Sequence, residues 1–421
     1  MKPKIYLSII CLFLTITAAA QHRDTHSMIF SPSVKSLQLS PLSNPYMPPV
    51  IVMDTDDRLV CEFDYMDPDE HYLRYSVTHC NADWAPSQLV ESEYVDGFNY
   101  ADIPLYGHSQ ATFVHYCHYA FDFPNDDFVI TKSGNYLLTV YEQDNPDQIL
   151  FQSRFCMCER VVDIMATVSS NTDVDYNNEH QQVAVELGYK MGEIQDPYNQ
   201  LKIFINQNTR TDNERCITHP MMVEMNKVTY DHMPELIFPA GNEYRRIETV
   251  NPKGYNLGNV RIGYFEPYYH ATLPIDLPRN NTQYLYDQTQ HGYFTVRNSE
   301  ANESATEADY VITHFVLNTG GPLNGGKLYL EGEFTHALPP VMKQMKYDMA
   351  TGSYTCDIML KQGAYNYQYL WLPDGKSVAL TAPIEGDKYQ TINQYWIRVY
   401  YRPMGERYDR LVGFATAIAN H

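Results

Sequence analysis

Apolar and polar residues alternate with a period of two along much of the chain, the pattern of strands with one covered face. Leu59, Cys61, Phe63 and Tyr65 alternate with Arg58, Val60, Glu62 and Asp64. Past Met66-Asp67-Pro68-Asp69-Glu70, Leu73, Tyr75 and Val77 alternate with Arg74, Ser76 and Thr78, so the two runs are expected to form a hairpin. A second hairpin is expected where Tyr136, Leu138 and Val140 lead through Asp144-Asn145-Pro146-Asp147 to Ile149, Phe151 and Phe155. Pro146 suits a turn and not a central strand. No segment of a dozen residues keeps a clean 3.6 period with caps at both ends, so little helix is expected. The 36 tyrosines, with Val, Ile, Thr and Phe, strengthen the bias to strands. The expected fold class is all-β, with three consecutive immunoglobulin-like β-sandwich modules.

Two breaks divide the pattern. One falls near Glu159 to Asp163, where the second hairpin closes. The other, Asn298 to Asp309, is polar, acidic and free of aromatics, and reads as a linker with no face to bury. The expected units are a leader at 1–20, an N-terminal sandwich at 21–160, a middle β-rich domain at 161–300 and a C-terminal sandwich at 308–421. In the last, Leu328 and Leu330 precede Glu331-Gly332-Glu333-Phe334, and a turn at Asp348 to Gly352 leads to Tyr354, Cys356, Ile358 and Leu360. Tyr365, Tyr367, Tyr369 and Trp371 then alternate up to Pro373-Asp374-Gly375. This module resembles the immunoglobulin-like modules that bind starch and glycogen in the isoamylase group.

The chain opens Met1-Lys2-Pro3-Lys4, continues with an apolar run from Ile5 to Thr17, and offers Ala18-Ala19-Ala20 before Gln21. That is the layout of an export signal and too short for a spanning helix. The 421 residues exceed what one ordinary core organises. A net charge of −21 repels phosphate backbones, which makes nucleic acid a poor partner. Beyond Cys11 in the leader, seven cysteines follow at scattered spacing, which is no disulfide framework. Buried thiols are expected, with at most a pair or two oxidised.

Candidate chemistry is thin. His79-Cys80 with His115, Cys117 and His118 is the richest cluster, but the paired spacing of a four-ligand zinc site is incomplete. Gly321 to Lys327 matches G-x-x-x-x-G-K, yet Leu328 stands where magnesium needs Ser or Thr and Pro322 removes a backbone donor. No G-x-S-x-G, H-E-x-x-H or G-x-G-x-x-G occurs. No catalytic, cofactor-binding or metal residue is therefore assigned, and no cofactor is expected. The aromatic run from Tyr365 to Trp371 has two readings, a sugar-stacking platform or the inner face of a sandwich. Asn280-Asn281-Thr282 and Asn302-Glu303-Ser304 fit the N-glycan triplet and carry no assigned role.

The segment His79-Cys80-Asn81-Ala82-Asp83-Trp84, followed by Ser87, Glu93-Tyr94 and Gly97-Phe98, resembles the opening motif of the type IX secretion system plug proteins. So do Tyr119 through Phe123-Pro124-Asn125, Ser133-Gly134-Asn135-Tyr136 with Val140-Tyr141, and Arg154-Phe155. Val399-Tyr400-Tyr401-Arg402 with Arg407-Tyr408-Asp409-Arg410-Leu411 is similar to that family's C-terminal signature. Gln207-Asn208 and Arg245-Arg246-Ile247-Glu248 match more loosely. The resemblance implies a non-enzymatic periplasmic protein on the inner face of the outer membrane, its partner a large translocon barrel that it seals between transport events. It names no contact residues. The alternative is a periplasmic or surface carbohydrate-binding protein using the C-terminal aromatics.

Overall fold

The computed structural model describes residues 25–419; the leader expected at 1–20 lies outside them. The fold is all-β. Among the described residues every α-helix is a single turn of four residues.

The first sandwich packs two sheets. One runs Met28–Ile29, Asn145–Cys158, Gly134–Glu142, Leu73–Cys80 and Ala101–Ile103, with Val50–Val52 parallel to the end of the long strand. The other runs Val34–Pro41, Leu59–Tyr65, Cys117–Phe123 and Leu105–His108. Rings from the two inner faces interlock: Phe63 meets Phe151 at 4.9 Å, and Tyr75 meets Phe121 at 4.6 Å. The hairpin expected at 134–158 is present. The one expected at 59–77 is not. Leu59–Tyr65 pairs with Cys117–Phe123, and Leu73–Cys80 lies in the opposite sheet against Gly134–Glu142. The connection through residues 66–72 is long enough to step across the roughly 10 Å between packed sheets. Alternation gives each strand's inner face but not its sheet.

The other two bodies do not follow each other along the chain. The middle one has Val162–Ser169, His180–Tyr189, Lys227–Tyr230 and Met222–Val223 in one sheet. Its second sheet is Arg215–Ile217, Leu201–Gln207, Gln394–Tyr401 and Arg410–Ile418. The C-terminal hairpin thus closes the middle core, where Val183, Leu187, Ile203 and Tyr230 pack with Tyr395, Ile397 and Val399. In exchange, the third body takes Arg245–Glu248 and Phe294–Val296, both paired to Gly363–Pro373. Its facing sheet runs Arg261–Phe265, Tyr268–Thr272, Tyr310–Leu317, Ser353–Lys361 and Lys346–Asp348. The sheets therefore draw strands from both sides of the break read at 298–309. That stretch does bury surface, through backbone and short side chains. Ala308 and Thr306 are buried, Gln110 donates its N–H to the Thr306 carbonyl, and the Tyr116 hydroxyl donates to the Ala308 carbonyl at 2.8 Å.

Candidate functional site

Each sandwich has inner faces that make its core, so what lies on the outer faces decides how the bodies meet. Asp64 alternates out of phase with Phe63 and Tyr65 and should face water. It is wholly buried because the third sandwich covers that face. Its carboxylate meets Lys361 Nζ at 2.6 Å and His118 Nδ1 at 2.7 Å, and accepts from the Tyr310 hydroxyl at 2.5 Å. Tyr310 and Lys361 sit directly opposite each other across two strands of the third sandwich, which aims both at one point. Lys361 also donates to the Ala305 carbonyl at 2.6 Å and lies 4.2 Å from the centre of the Tyr116 ring. Burial works to raise the Asp64 pKa, but the Lys361 charge and the His118 hydrogen bond hold it below the usual carboxylate range. Burial lowers that of Lys361, against the pull of Asp64.

The seam between the first and middle sandwiches is built from the segments that carry the plug resemblance. Ala82 donates its N–H to Asp409 at 3.0 Å, and Arg402 reaches both Asp409, at 2.8 Å, and the Asn81 side chain, at 2.6 Å. The Tyr400 hydroxyl donates to Asn135 at 2.5 Å. Trp84 holds a left-handed φ of 65°, unusual for so large a side chain, with Arg154 4.4 Å and Arg398 5.7 Å from its ring. Arg398 pairs with Glu214, Arg407 with Glu93, and Arg410 with Glu159. His79 packs edge-on against Tyr408, its Nε2 3.0 Å from the Ser133 carbonyl, and burial pushes its pKa down to about 4.

The middle and third bodies meet where Arg210 donates to the Ala379 carbonyl at 2.7 Å and the Ala379 N–H donates to Asp212 at 2.8 Å. Within the third body, Glu385 is fully buried between Arg245 (3.1 Å) and Arg279 (2.7 Å), and Arg245 also pairs with Asp276 at 2.7 Å. Burial tends to raise the Glu385 pKa, but the two guanidiniums hold it low. Asp276 accepts from the Tyr367 and Tyr369 hydroxyls. Gln207 and Asn208, in the looser match, bond to Tyr395 and Asn393.

The remaining sequence candidates separate. His79 and Cys80 lie in one sheet of the first sandwich and Cys117 and His118 in the other, each with its own partners, and His115 is exposed. Among the described residues no three His, Cys, Asp or Glu side chains gather as metal ligands would. Gly321–Lys327 is a loop entering the strand Gly326–Glu331. Tyr365, Tyr367, Tyr369 and Trp371 all face the core, so they offer no platform to a sugar. All seven described cysteines are free. Cys80 and Cys156 both pair with Asn135 from opposite sides, which sets them two strand spacings apart, about 10 Å and beyond disulfide reach. One cavity of about 90 Å³, room for a few waters, lies between the first and third sandwiches. Lys35, Leu37, Phe294, Glu333 and Leu360 are among its walls. Burial raises the Glu333 carboxyl to about 8.

Sequence reasoning missed Asp64, Lys361, Tyr310 and Glu385. The available signal was charge inside otherwise apolar strands, and it marks a covered outer face only once the neighbouring body is known.

This is an all-β protein of packed sheets in which buried charge, and the residues of the plug-like motifs, lie where the bodies meet. The model of the type 9 secretion system plug protein 1st domain matches residues 34–159. The match covers the first sandwich, and that domain belongs to the type IX secretion system plug protein 1st domain family. A crystal structure of a hypothetical protein from Parabacteroides merdae is similar across 93% of this chain and 99% of that one, at 43% identity and a TM-score of 0.91. A biofilm associated protein BSP domain covers 95% of this chain and 61% of its own, but at 6% identity and a TM-score of 0.20 it carries no argument. No curated protein matches. Among the described residues no helix is long and apolar enough to cross a membrane.

Proposed function

We propose that this protein is a non-enzymatic stopper that sits on the periplasmic side of the type IX outer-membrane translocon and closes its pore between transport events. The match of the first domain supports a role with that secretion machinery. The observation that carries the finer reading is the set of seams. A stopper has to keep its shape against a wide opening, and hinged sandwiches would not. Here Asp64–Lys361 ties the first body to the third with buried charge, Arg410–Glu159 and Arg407–Glu93 tie the first to the middle, and Asp212 of the middle body accepts from the Ala379 N–H of the third. Breaking such a pair by parting the bodies would leave charges uncompensated, which is strongly unfavourable.

The test is twofold. A tagged translocon barrel purified from outer membranes should carry this chain, and cells lacking the chain should become permeable to hydrophilic compounds that intact cells exclude. A barrel purified without the chain, together with an unchanged permeability barrier in the deletion strain, would reject the reading.

A further inference from the structure

Residues 273–293 cross the surface of the third sandwich with no regular strand or helix beyond an isolated bridge at Asp276. Irregular connections longer than about 12–15 residues are uncommon in compact domains and usually have a function. This one inverts the ordinary rule of polar out and apolar in. Its charged residues are paired to the body beneath: Asp276 to Arg245, Arg279 to Glu385 and, nearer the surface, Asp287 to Arg246 at 3.0 Å. The Tyr284 hydroxyl donates to Glu243 at 2.8 Å, and Asn366 donates to Gln290 at 2.6 Å. The neighbours of those pinned residues are left in water. Ile275 and Leu277 are each 61% exposed, Leu285 81% and Tyr286 58%.

We propose that this strap is a docking surface for an apolar, uncharged patch on a folded protein, and that on the stopper reading above, on which this inference rests, that protein is the translocon. Pinning fixes the backbone in advance, so docking would not have to order it. Each of the strap's three acidic and basic side chains already has a partner of opposite sign on this chain, which leaves none unmatched to recruit a lipid headgroup or a charged peptide. The net charge of −21 sets this chain against an anionic membrane and against a second copy of itself. An uncharged patch flanked by Asn281 and Gln283 fits a neutral protein surface instead.

The experiment purifies the tagged translocon from detergent-solubilised outer membranes of cells carrying wild-type protein, Leu285→Asp/Tyr286→Asp, Ile275→Asp/Leu277→Asp, or Met404→Asp as an exposed control elsewhere. Retained protein should fall at least about tenfold for both strap variants and not for the control. Wild-type retention should survive about 0.5 M salt, because apolar contact is not screened. Melting temperatures should be unchanged, since no inward pin is touched. If aspartate disturbs the fold, Leu285→Ser/Tyr286→Ser replaces it with the same expected loss. Retention of the strap variants at the wild-type level overturns the docking surface while leaving the stopper reading intact. Absence of wild-type protein from the barrel defeats both. Sedimentation of a wild-type dimer that Leu285→Asp/Tyr286→Asp dissolves makes the occupant a second copy and overturns the assignment.

Discussion

Replacing Lys361 by methionine tests whether buried charge joins the first and third sandwiches. The ammonium has three partners: Asp64 and the Ala305 carbonyl, each at 2.6 Å, and the Tyr116 ring. Methionine keeps much of the volume and removes the charge. Asp64 is then a buried carboxylate with His118 and Tyr310 still beside it. Removing one partner of a buried pair costs about 3–5 kcal/mol, and urea denaturation at pH 7 should show a loss of that order. The pH dependence fixes the cause. In the wild type the Asp64 pKa lies below its unfolded value of about 3.9. Its contribution is therefore present above that pH and is lost as pH falls through the folded value. In Lys361→Met, burial acts without the opposing ammonium and lifts the folded pKa above the unfolded one. The variant then loses stability as pH rises between the two values. The gap between the proteins should be widest near pH 7 and narrow toward pH 4. Adding Asp64→Asn should recover part of the loss, with a coupling on the order of 2 kcal/mol. A gap below about 1 kcal/mol at pH 7, or one that stays constant with pH, would refute the reasoning.

Other outcomes follow from the same structure. Gly134→Ala would place a methyl 2.7 Å from His79 Nε2 and 3.2 Å from the Asp409 carbonyl, at a φ of 136°. It should destabilise by about 2–4 kcal/mol and lower the melting temperature accordingly. Glu333, held at about 8, resists ionisation in the fold, so its presence destabilises increasingly as pH rises from about 4.3 to about 8. Glu333→Gln should raise the melting temperature at pH 8, worth on the order of 2 kcal/mol, and change little at pH 4. Native protein should react with a thiol reagent at exposed Cys216 first, and at the buried thiols, whose pKa values burial raises at Cys61, Cys80 and Cys158, only on unfolding.

Much of the fold was legible because inner faces obey a local rule. Leu59, Cys61, Phe63 and Tyr65 are all buried, as their alternation requires. The same rule misleads at Asp64, because alternation says which residues leave the sandwich core and not what stands beyond it. Strand partnership was equally hidden. Leu201–Gln207 pairs with Gln394–Tyr401 across nearly two hundred positions, and neither segment's pattern names the other. The aromatic run at 365–371 could be read either way from sequence, and depth in the sheet decides it. Tyr365, Tyr367, Tyr369 and Trp371 project from the one face of Gly363–Pro373 that packs into the core, so every ring is covered. The motif segments were visible from the start, but their shared purpose emerges only when residues 79–84 and 399–411 are seen touching.

The hairpin at 394–418 has a bearing on how the chain matures. Residues 201–207 emerge from the ribosome long before their neighbours at 394–401 exist, so the sheet they belong to cannot finish while synthesis is under way. The N-terminal unit can assemble early, but its seam residues Asn81 and Ala82 must wait for Arg402 and Asp409. The middle sheet and the seam to the first body therefore both wait on the same C-terminal hairpin. Products cut short before 394 would keep an open sheet edge, the kind of surface that quality control and proteases recognise.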